Sequence, residues 1–274
     1  MSHGDLPTTY LFVPGNRPDR FDKALASGAD AIVLDLEDAV AAADKYRARS
    51  AIGEWIGRHH GDAARIVVRI NAAGTAWFDA DLQLLRAYSV NAAILPKAET
   101  ADAIGCVAEA LGSDGRVIAL LESARGVANV DSLATAAQVQ RLAFGTLDYA
   151  IDMGLAADAR GLEYPAARIA LASRVSGIGP AVAGVTVGID DDAQLRADVA
   201  LARAFGFGAK LCIHPRQVGV VRDAFRPTAA EIEWATRIVE AATASTDAIQ
   251  VDGAMVDRPV VLRARSILAR GRTT

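Results

Sequence analysis

The stretch Ala31-Ile32-Val33-Leu34-Asp35-Leu36-Glu37-Asp38 decides the fold. Its apolar opening lacks the polar alternation of a half-solvated strand, so it reads as a strand covered on both faces, as in a parallel sheet flanked by helices. Its end is crowded with carboxylates. Seven further apolar runs of strand length recur, several of them likewise without polar alternation: Tyr10–Val13, Ile66–Ile70, Ala92–Leu95, Val117–Leu121, Arg141–Phe144, Ala181–Val187 and Ala209–Ile213. Between them, segments such as Asp19–Ser27, Lys45–Arg58, Ala101–Leu111, Glu163–Val175 and Asp191–Phe205 carry apolar residues near helical spacing, mixed with charge. A succession of βα units predicts an α/β fold with a parallel sheet. The count and order favour a parallel (β/α)8 TIM barrel over an open doubly wound sheet.

The chain after His214 continues through a helix-like Ala229–Ala244, a polar Ser245–Asp247 link, a turn at Gly253 and a final helix over Pro259–Ala269. This gives a barrel catalytic domain over residues 1–225 and a C-terminal helical extension over residues 226–274. The extension exceeds what closing a barrel requires, which suits a lid or a contact with a neighbouring subunit.

With 274 residues and 52% hydrophobic content, the chain can bury one substantial core. Its 29 Lys and Arg stand against 33 Asp and Glu, for a net charge of −4 without long runs of either sign. Neither nucleic acid nor an anionic membrane is indicated as a partner. Cys106 and Cys212 sit in apolar stretches without the paired spacing of a thiolate zinc site, and read as reduced, buried thiols. No apolar stretch approaches bilayer length, and the strand at Tyr10 is not preceded by a basic region and a long apolar segment. A soluble, cytoplasmic protein is the expectation.

In a β/α barrel the C-terminal strand ends converge on one mouth, so polar residues just after the apolar runs are functional candidates. Here these are Asp35, Glu37 and Asp38 after the second run, Arg69 and Asn71 after the third, Lys97 and Glu99 after the fourth, Glu122 after the fifth, Asp148 after the sixth and His214 after the eighth. Charged groups gathered in a partly buried mouth must be paired or metal-bound. Glu122 and Asp148 follow adjacent strands, and oxygen donors with open positions suit Mg²⁺. No His- or Cys-rich set competes for a softer metal.

Each of these residues also has a plainer reading. Glu122 equally caps a helix beginning near Ser123 or pairs with Arg125, and Asp148 equally forms a turn after Gly145. Arg69 reads as an ion-pair partner or as a two-point clamp for a substrate carboxylate. The N–H groups of Gly145 and Thr146 either face a bound carboxylate or belong to a tight turn. Pro14-Gly15-Asn16-Arg17-Pro18 offers N–H groups and a cation to a phosphate, although it matches no Walker or dinucleotide glycine pattern. His214 is a candidate base by its ordinary pKa, and more simply a residue holding a loop. His59 and His60 read as solvated.

Seven ordered segments carry a resemblance: Leu11-Phe12-Val13-Pro14-Gly15-Asn16-Arg17, Leu34-Asp35-Leu36-Glu37-Asp38-Ala39-Val40, Val68-Arg69-Ile70-Asn71, Leu95-Pro96-Lys97-Ala98-Glu99, Leu121-Glu122-Ser123-Ala124, Phe144-Gly145-Thr146-Leu147-Asp148 and Ile213-His214-Pro215. Through them the chain resembles the citrate lyase β-subunit-like branch of the HpcH/HpaI aldolase superfamily. The resemblance implies a barrel, commonly trimeric, that uses Mg²⁺, with Mn²⁺ as a possible substitute, to make or break the bond between the α-carbon of an acyl thioester and the carbonyl carbon of a 2-keto acid. Malyl-, citramalyl- and citryl-CoA all share that reacting unit. Glu122 and Asp148 would hold the metal. Arg69, with Glu122, Gly145 and Thr146, would bind the keto acid, and Glu37 and Asp38 would line the reacting centre.

By the same resemblance Pro14, Asn16 and Arg17, with Lys45 and Arg49 on the next helix, would face the coenzyme A phosphates. The tail Asp252-Gly253-Ala254-Met255-Val256-Asp257-Arg258-Pro259 looks like a segment inserted into a neighbouring subunit's site, with Asp257 as the acid–base residue. Ala41–Ala43 departs from the pattern, standing where relatives often carry a proline. The alternatives to a lyase are a malyl-CoA-type thioesterase, an aldolase on free hydroxy-keto acids, and a catalytically quiet subunit of a carrier-protein complex.

Overall fold

The computed structural model describes residues 6–156, 159–244, 249–251 and 253–272. Eight parallel strands close into a barrel in chain order. They are β1 (Thr9–Pro14), β2 (Ala31–Asp35), β3 (Ile66–Arg69), β4 (Ala92–Leu95), β5 (Arg116–Leu121), β6 (Val139–Phe144), β7 (Val182–Ala183) and β8 (Ala209–Cys212). The helices between them are α1 (Phe21–Leu25), α2 (Lys45–Ile56), α3 (Phe78–Ala87), α4 (Ala101–Leu111), α5 (Ala124–Ala128), α6 (Val130–Ala134), α7 (Thr146–Asp152), α8 (Glu163–Val175) and α9 (Asp192–Phe205), with α10 (Pro215–Phe225) after β8. The (β/α)8 barrel expected from the apolar runs is the observed architecture.

Local chemistry sets the helix ends. Thr100, Ser123 and Asp191 cap α4, α5 and α9 by accepting from the backbone N–H three residues on. Gly206 ends α9 in the left-handed region at φ 90°. Alternate strand residues fill the barrel interior, where Tyr10, Val33, Val67, Ile94, Ile118 and Leu211 interleave with small Ala31, Ala92, Ala143 and Ala209. Near its N-terminal end the barrel buries Arg141, whose guanidinium donates to the carbonyls of Pro180 at 2.6 Å and Pro7 at 2.5 Å.

Two expectations are corrected. The seventh run does not extend over Ala181–Val187, because only Val182 and Ala183 pair with their neighbours. At Gly184 the backbone crosses the end of β6 so closely that a Cβ would lie 2.7 Å from Phe144 O. Cys106 is not buried: it lies on the outer face of α4, between the inward Ile104 and Val107, and is exposed, whereas Cys212 is buried.

Pro7–Arg222 forms one compact unit, and the chain from Asp223 belongs to a second. In the second unit α11 (Ala229–Ala244), an antiparallel pair of β9 (Ile249–Val251) and β10 (Ala254–Val256), and α12 (Arg258–Arg272) surround a core of Ala235, Ile238, Val256, Ala264 and Ile267. Gly253 turns the hairpin at φ 79°. The expected Ser245–Asp247 link falls outside the described residues. Among the described residues no helix is long and apolar enough to cross a membrane.

Gly15 locks β1 to β2 and to the packing face of α2. Its N–H donates to Asp35 O at 2.8 Å, and an added Cβ would meet that oxygen at 2.6 Å and Ile52 Cδ1 at 2.8 Å. The backbone oxygen cannot yield as a flexible side chain can. Gly15→Ala is therefore expected to destabilise by about 1–3 kcal/mol in denaturant titration, while Gly61→Ala, with nothing near its Cβ position, changes little.

Candidate active site

The mouth is organised around Asp35 at the end of β2. Its carboxylate accepts from the N–H of Glu37 at 2.9 Å and of Ala39 at 3.1 Å, and from both Nε (2.7 Å) and Nη2 (2.6 Å) of Arg69 at the end of β3. Arg69 Nη1 stands 2.9 Å from Glu37 Oε2 and 3.7 Å from Asp38 Oδ2, and the guanidinium lies over the Phe12 ring with 4.6 Å to its centroid. The other oxygen of Glu37 accepts from Lys97 Nζ at 2.7 Å. The sequence-predicted Glu37, Asp38 and Arg69 are thus brought together. Of the two readings of Arg69, the geometry fits the ion-pair partner: its paired Nε and Nη2 donors are occupied by Asp35, and Nη1, beside Glu37, is on the mouth side.

Glu122, buried after β5, accepts from Lys97 N–H at 2.8 Å through Oε1. Its Oε2 faces Gly145, where a Cβ would stand 2.6 Å away, so only glycine leaves that oxygen its room. Burial first, then the charge of Glu37, push the Glu122 carboxyl up to about 8; the Lys97 N–H and ammonium oppose the rise, and Asp148 adds to it. Burial also raises Glu37, against the pull of Arg69 and Lys97. For Arg69, burial works downward, but the hydrogen bonds and charge of Asp35, with Glu37 and Asp38, carry the guanidinium above its usual range. Asp148 lies in the first turn of α7, which starts at Thr146.

Glu122 and Asp148 fit a divalent cation. Their donors are all oxygen, Gly145 leaves Glu122 Oε2 open, and neighbouring carboxylates hold Glu122 in a state that positive charge would relieve. Among the described residues no group of three or more His, Cys, Asp and Glu side chains could hold a metal.

The expected phosphate-facing residues divide. Pro14 ends β1, Arg17 is half-buried and bound to Asp19 at 2.7 Å, and Asn16 donates to Asp44 at 3.3 Å. Lys45 and Arg49 do not offer free cations, which corrects their expected role. Lys45 is buried, donating to the carbonyls of Leu36 at 2.6 Å and Glu37 at 2.8 Å, and its pKa is lowered by that burial. Arg49 donates to buried Asp81 at 2.8 Å. Helical spacing put both on α2 but could not show which face met the barrel. Asp257 belongs to the second unit, where its Oδ1 accepts from Val260 N–H at 3.2 Å at the start of α12.

Sequence reasoning named Lys97 and Asn71 without a role and missed Asp81. Lys97 adopts φ 48° and binds Glu122 through its backbone and Glu37 through its ammonium. Asp81 holds Asn71 by its N–H at 2.8 Å and its Nδ2 at 2.6 Å. The signal for Lys97 was its strand-end position; Asp81, inside an ordinary amphipathic helix, carried none. His214 accepts from Arg216 N–H at 3.2 Å and so holds its loop, and His59 is not simply solvated but stacks on Trp55 at 4.0 Å.

A closed barrel with its ionisable residues gathered on the C-terminal rim belongs to the class of (β/α)8 enzymes. Within it, this chain belongs to the HpcH/HpaI aldolase/citrate lyase family, whose model matches residues 8–215. A citrate lyase subunit beta-like protein of Mycobacterium tuberculosis is 38% identical over 268 residues, covering 95% of this chain and 94% of the relative. A (3S)-malyl-CoA thioesterase of Cereibacter sphaeroides is 33% identical, covering 98% and 96%. The crystal structure of CitE from M. tuberculosis in complex with magnesium, acetoacetate and coenzyme A superposes with a TM-score of 0.86 at 36% identity, over 97% of this chain and 98% of that one.

The raised Glu122 has a measurable consequence without metal. A carboxyl whose folded pKa exceeds its unfolded value stabilises the fold at low pH, and that contribution is lost as pH rises toward about 8. In EDTA, the melting temperature of the wild type is expected to fall more steeply than that of Glu122→Gln between about pH 5 and about pH 9. Parallel curves would contradict the shift.

Proposed function

We propose that the protein is a Mg²⁺-dependent carbon–carbon lyase that cleaves, or forms, a malyl-, citramalyl- or citryl-CoA-type thioester, giving an acyl thioester and a 2-keto acid. The observation that carries this reading is Glu122: a buried carboxyl held by Lys97 N–H, open toward Gly145 and within the field of Asp148. Relatives crystallised with magnesium and coenzyme A support it. Glu122 and Asp148 would hold Mg²⁺, or Mn²⁺ in its stead, which supplies Lewis-acid polarisation of the keto acid oxygens.

The chain's own residues do the rest. Arg69 Nη1 offers charge to the substrate carboxylate, and the N–H groups of Gly145 and Thr146 complete its seat. Asp257, contributed by a second copy through the extension of residues 226–274 in a homo-oligomer, accepts the hydroxyl proton. As that oxygen becomes the keto carbonyl, the carbon–carbon bond breaks and its electron pair passes to the thioester α-carbon as an enolate. A proton returned to that carbon gives the acyl thioester. Glu37, fixed by Arg69 and Lys97, and Asp38 line the reacting centre, while Pro14, Asn16 and Arg17 border the coenzyme A path. Lys45 and Arg49 act by bracing the mouth from behind.

A second reading, hydrolysis of the thioester at the same site, is favoured by the relatives named (3S)-malyl-CoA thioesterase. Incubation with a panel of malyl-, citramalyl- and citryl-CoA separates the two: keto acid plus acyl-CoA means cleavage, and free coenzyme A without keto acid means hydrolysis. Glu122→Ala is expected to lose at least about a hundredfold in Mg²⁺-dependent turnover, and full activity in this variant would sink the metal assignment. Mixing Asp257→Ala with Arg69→Ala chains is expected to restore part of the activity that neither has alone. No recovery in verified mixed oligomers would refute the shared site.

A further inference from the structure

A cavity of about 180 Å³ lies in the layer between the barrel wall and helices α8 and α9, with Thr146 of the mouth on its lining. Val182, Ala209 and Leu211 point into the barrel interior, so their alternate neighbours Ala183 and Lys210 face outward and line this space. The early end of β7 leaves the wall low here. Phe144, Leu201, Phe205 and Phe207 supply apolar walls.

Into this apolar space the chain buries a charge. Lys210 is 3% exposed, and its ammonium donates to Gly184 O at 2.6 Å. Asp198 also lines the cavity, but its oxygens are engaged by Thr186 Oγ1 at 2.5 Å and Gln194 Nε2 at 2.7 Å, and Lys210 forms no ion pair among the described residues. Glu163 at the rim is exposed. The other buried lysine shows what satisfaction looks like: Lys45 has two carbonyls and the Trp77 ring, 5.0 Å from its Nζ to the centroid. An ammonium has three donors, and burying it short of partners costs several kcal/mol. Burial accordingly lowers the pKa of Lys210, with Asp198 opposing.

What completes such a site is an anion with a hydrocarbon body. A dry cavity of about 150 Å³ accommodates a six-carbon ring, so the space here matches a chain of similar size. We propose that the cavity binds a short unbranched carboxylate of about four to six carbons, its head on Lys210 and its chain against Phe144, Leu201, Phe205 and Phe207. The site shares Thr146 with the mouth but neither Glu122 nor Asp148, and it does not depend on the reaction proposed there.

The test is calorimetric titration of the full chain with hexanoate and with hexan-1-ol, in EDTA so that no metal-dependent site contributes. Wild type is expected to bind hexanoate at least about tenfold more tightly than the alcohol, the difference a charge-assisted bond supplies. Lys210→Met is expected to erase that preference and keep alcohol binding. Ala202→Leu, which adds three carbons to the cavity wall, is expected to weaken both ligands, and it decides the matter even should Lys210→Met not fold. Glu122→Gln is expected to bind hexanoate as wild type does. The proposal is overturned by absence of saturable hexanoate binding, by equal affinity for acid and alcohol, by a preference that survives Lys210→Met, by unchanged binding in Ala202→Leu, or by loss of binding in Glu122→Gln.

Discussion

The mouth depends on the pairing of Arg69 with Asp35. Both side chains are largely removed from water, and such a pair offsets its desolvation only when almost every donor and acceptor is used. Here they are. The Asp35 carboxylate accepts two backbone N–H groups as well as the paired donors of Arg69, and the Asp35 carbonyl accepts Gly15 N–H. The ends of β1, β2 and β3 are therefore tied through one residue, and Glu37 and Asp38 leave the barrel in a direction that Asp35 sets. With its fork engaged, Arg69 acts on the mouth as fixed charge and not as a swinging arm.

That arrangement leaves the mouth with an excess of negative charge. Arg69 and Lys97 face Asp35, Glu37 and Glu122, with Asp38 and Asp148 nearby. Glu122 takes the penalty of its burial, and then of this field, as a raised pKa. Acids so crowded are costly unless a cation or a reaction uses them, and clusters of perturbed groups mark functional sites for that reason. The proposed Mg²⁺ would answer the imbalance where it is largest, beside the one oxygen that Gly145 leaves uncovered.

How much of this was legible follows from what pattern can carry. Unalternated apolar runs such as Ala31–Leu34 report burial on both faces, so the strand count and the closed barrel were readable, and so was the convergence of Glu37, Arg69 and Glu122 at strand ends. β7 was overread because Ala181–Val187 is apolar but for Thr186, while its departure from the sheet depends on a close approach to Phe144 O that only the folded chain contains. Lys45 and Arg49 were misread for a related reason. Basic residues on a helix suggest solvent or phosphate, yet here backbone carbonyls and a buried Asp81 receive them.

Lys97 marks the limit of sequence reasoning most clearly, because what it gives Glu122 is a backbone N–H. A non-glycine residue at φ 48° is held against an intrinsic cost of about 1–2 kcal/mol, so the surroundings must impose it. They do so by fastening the loop after β4 to the loop after β5: Ser123 donates to Glu99 at 2.7 Å, Asn129 donates to Glu99 O at 2.8 Å, and Gly126 lets Ala98 O come within 2.8 Å of where a Cβ would be. The same Ser123 caps α5. The plain reading of Glu122 as a helix cap is thereby displaced onto its neighbour, and Glu122 is left free to turn into the mouth. Strain at one residue, borne by three ordinary contacts, is what sets the direction of the central carboxylate before any substrate arrives.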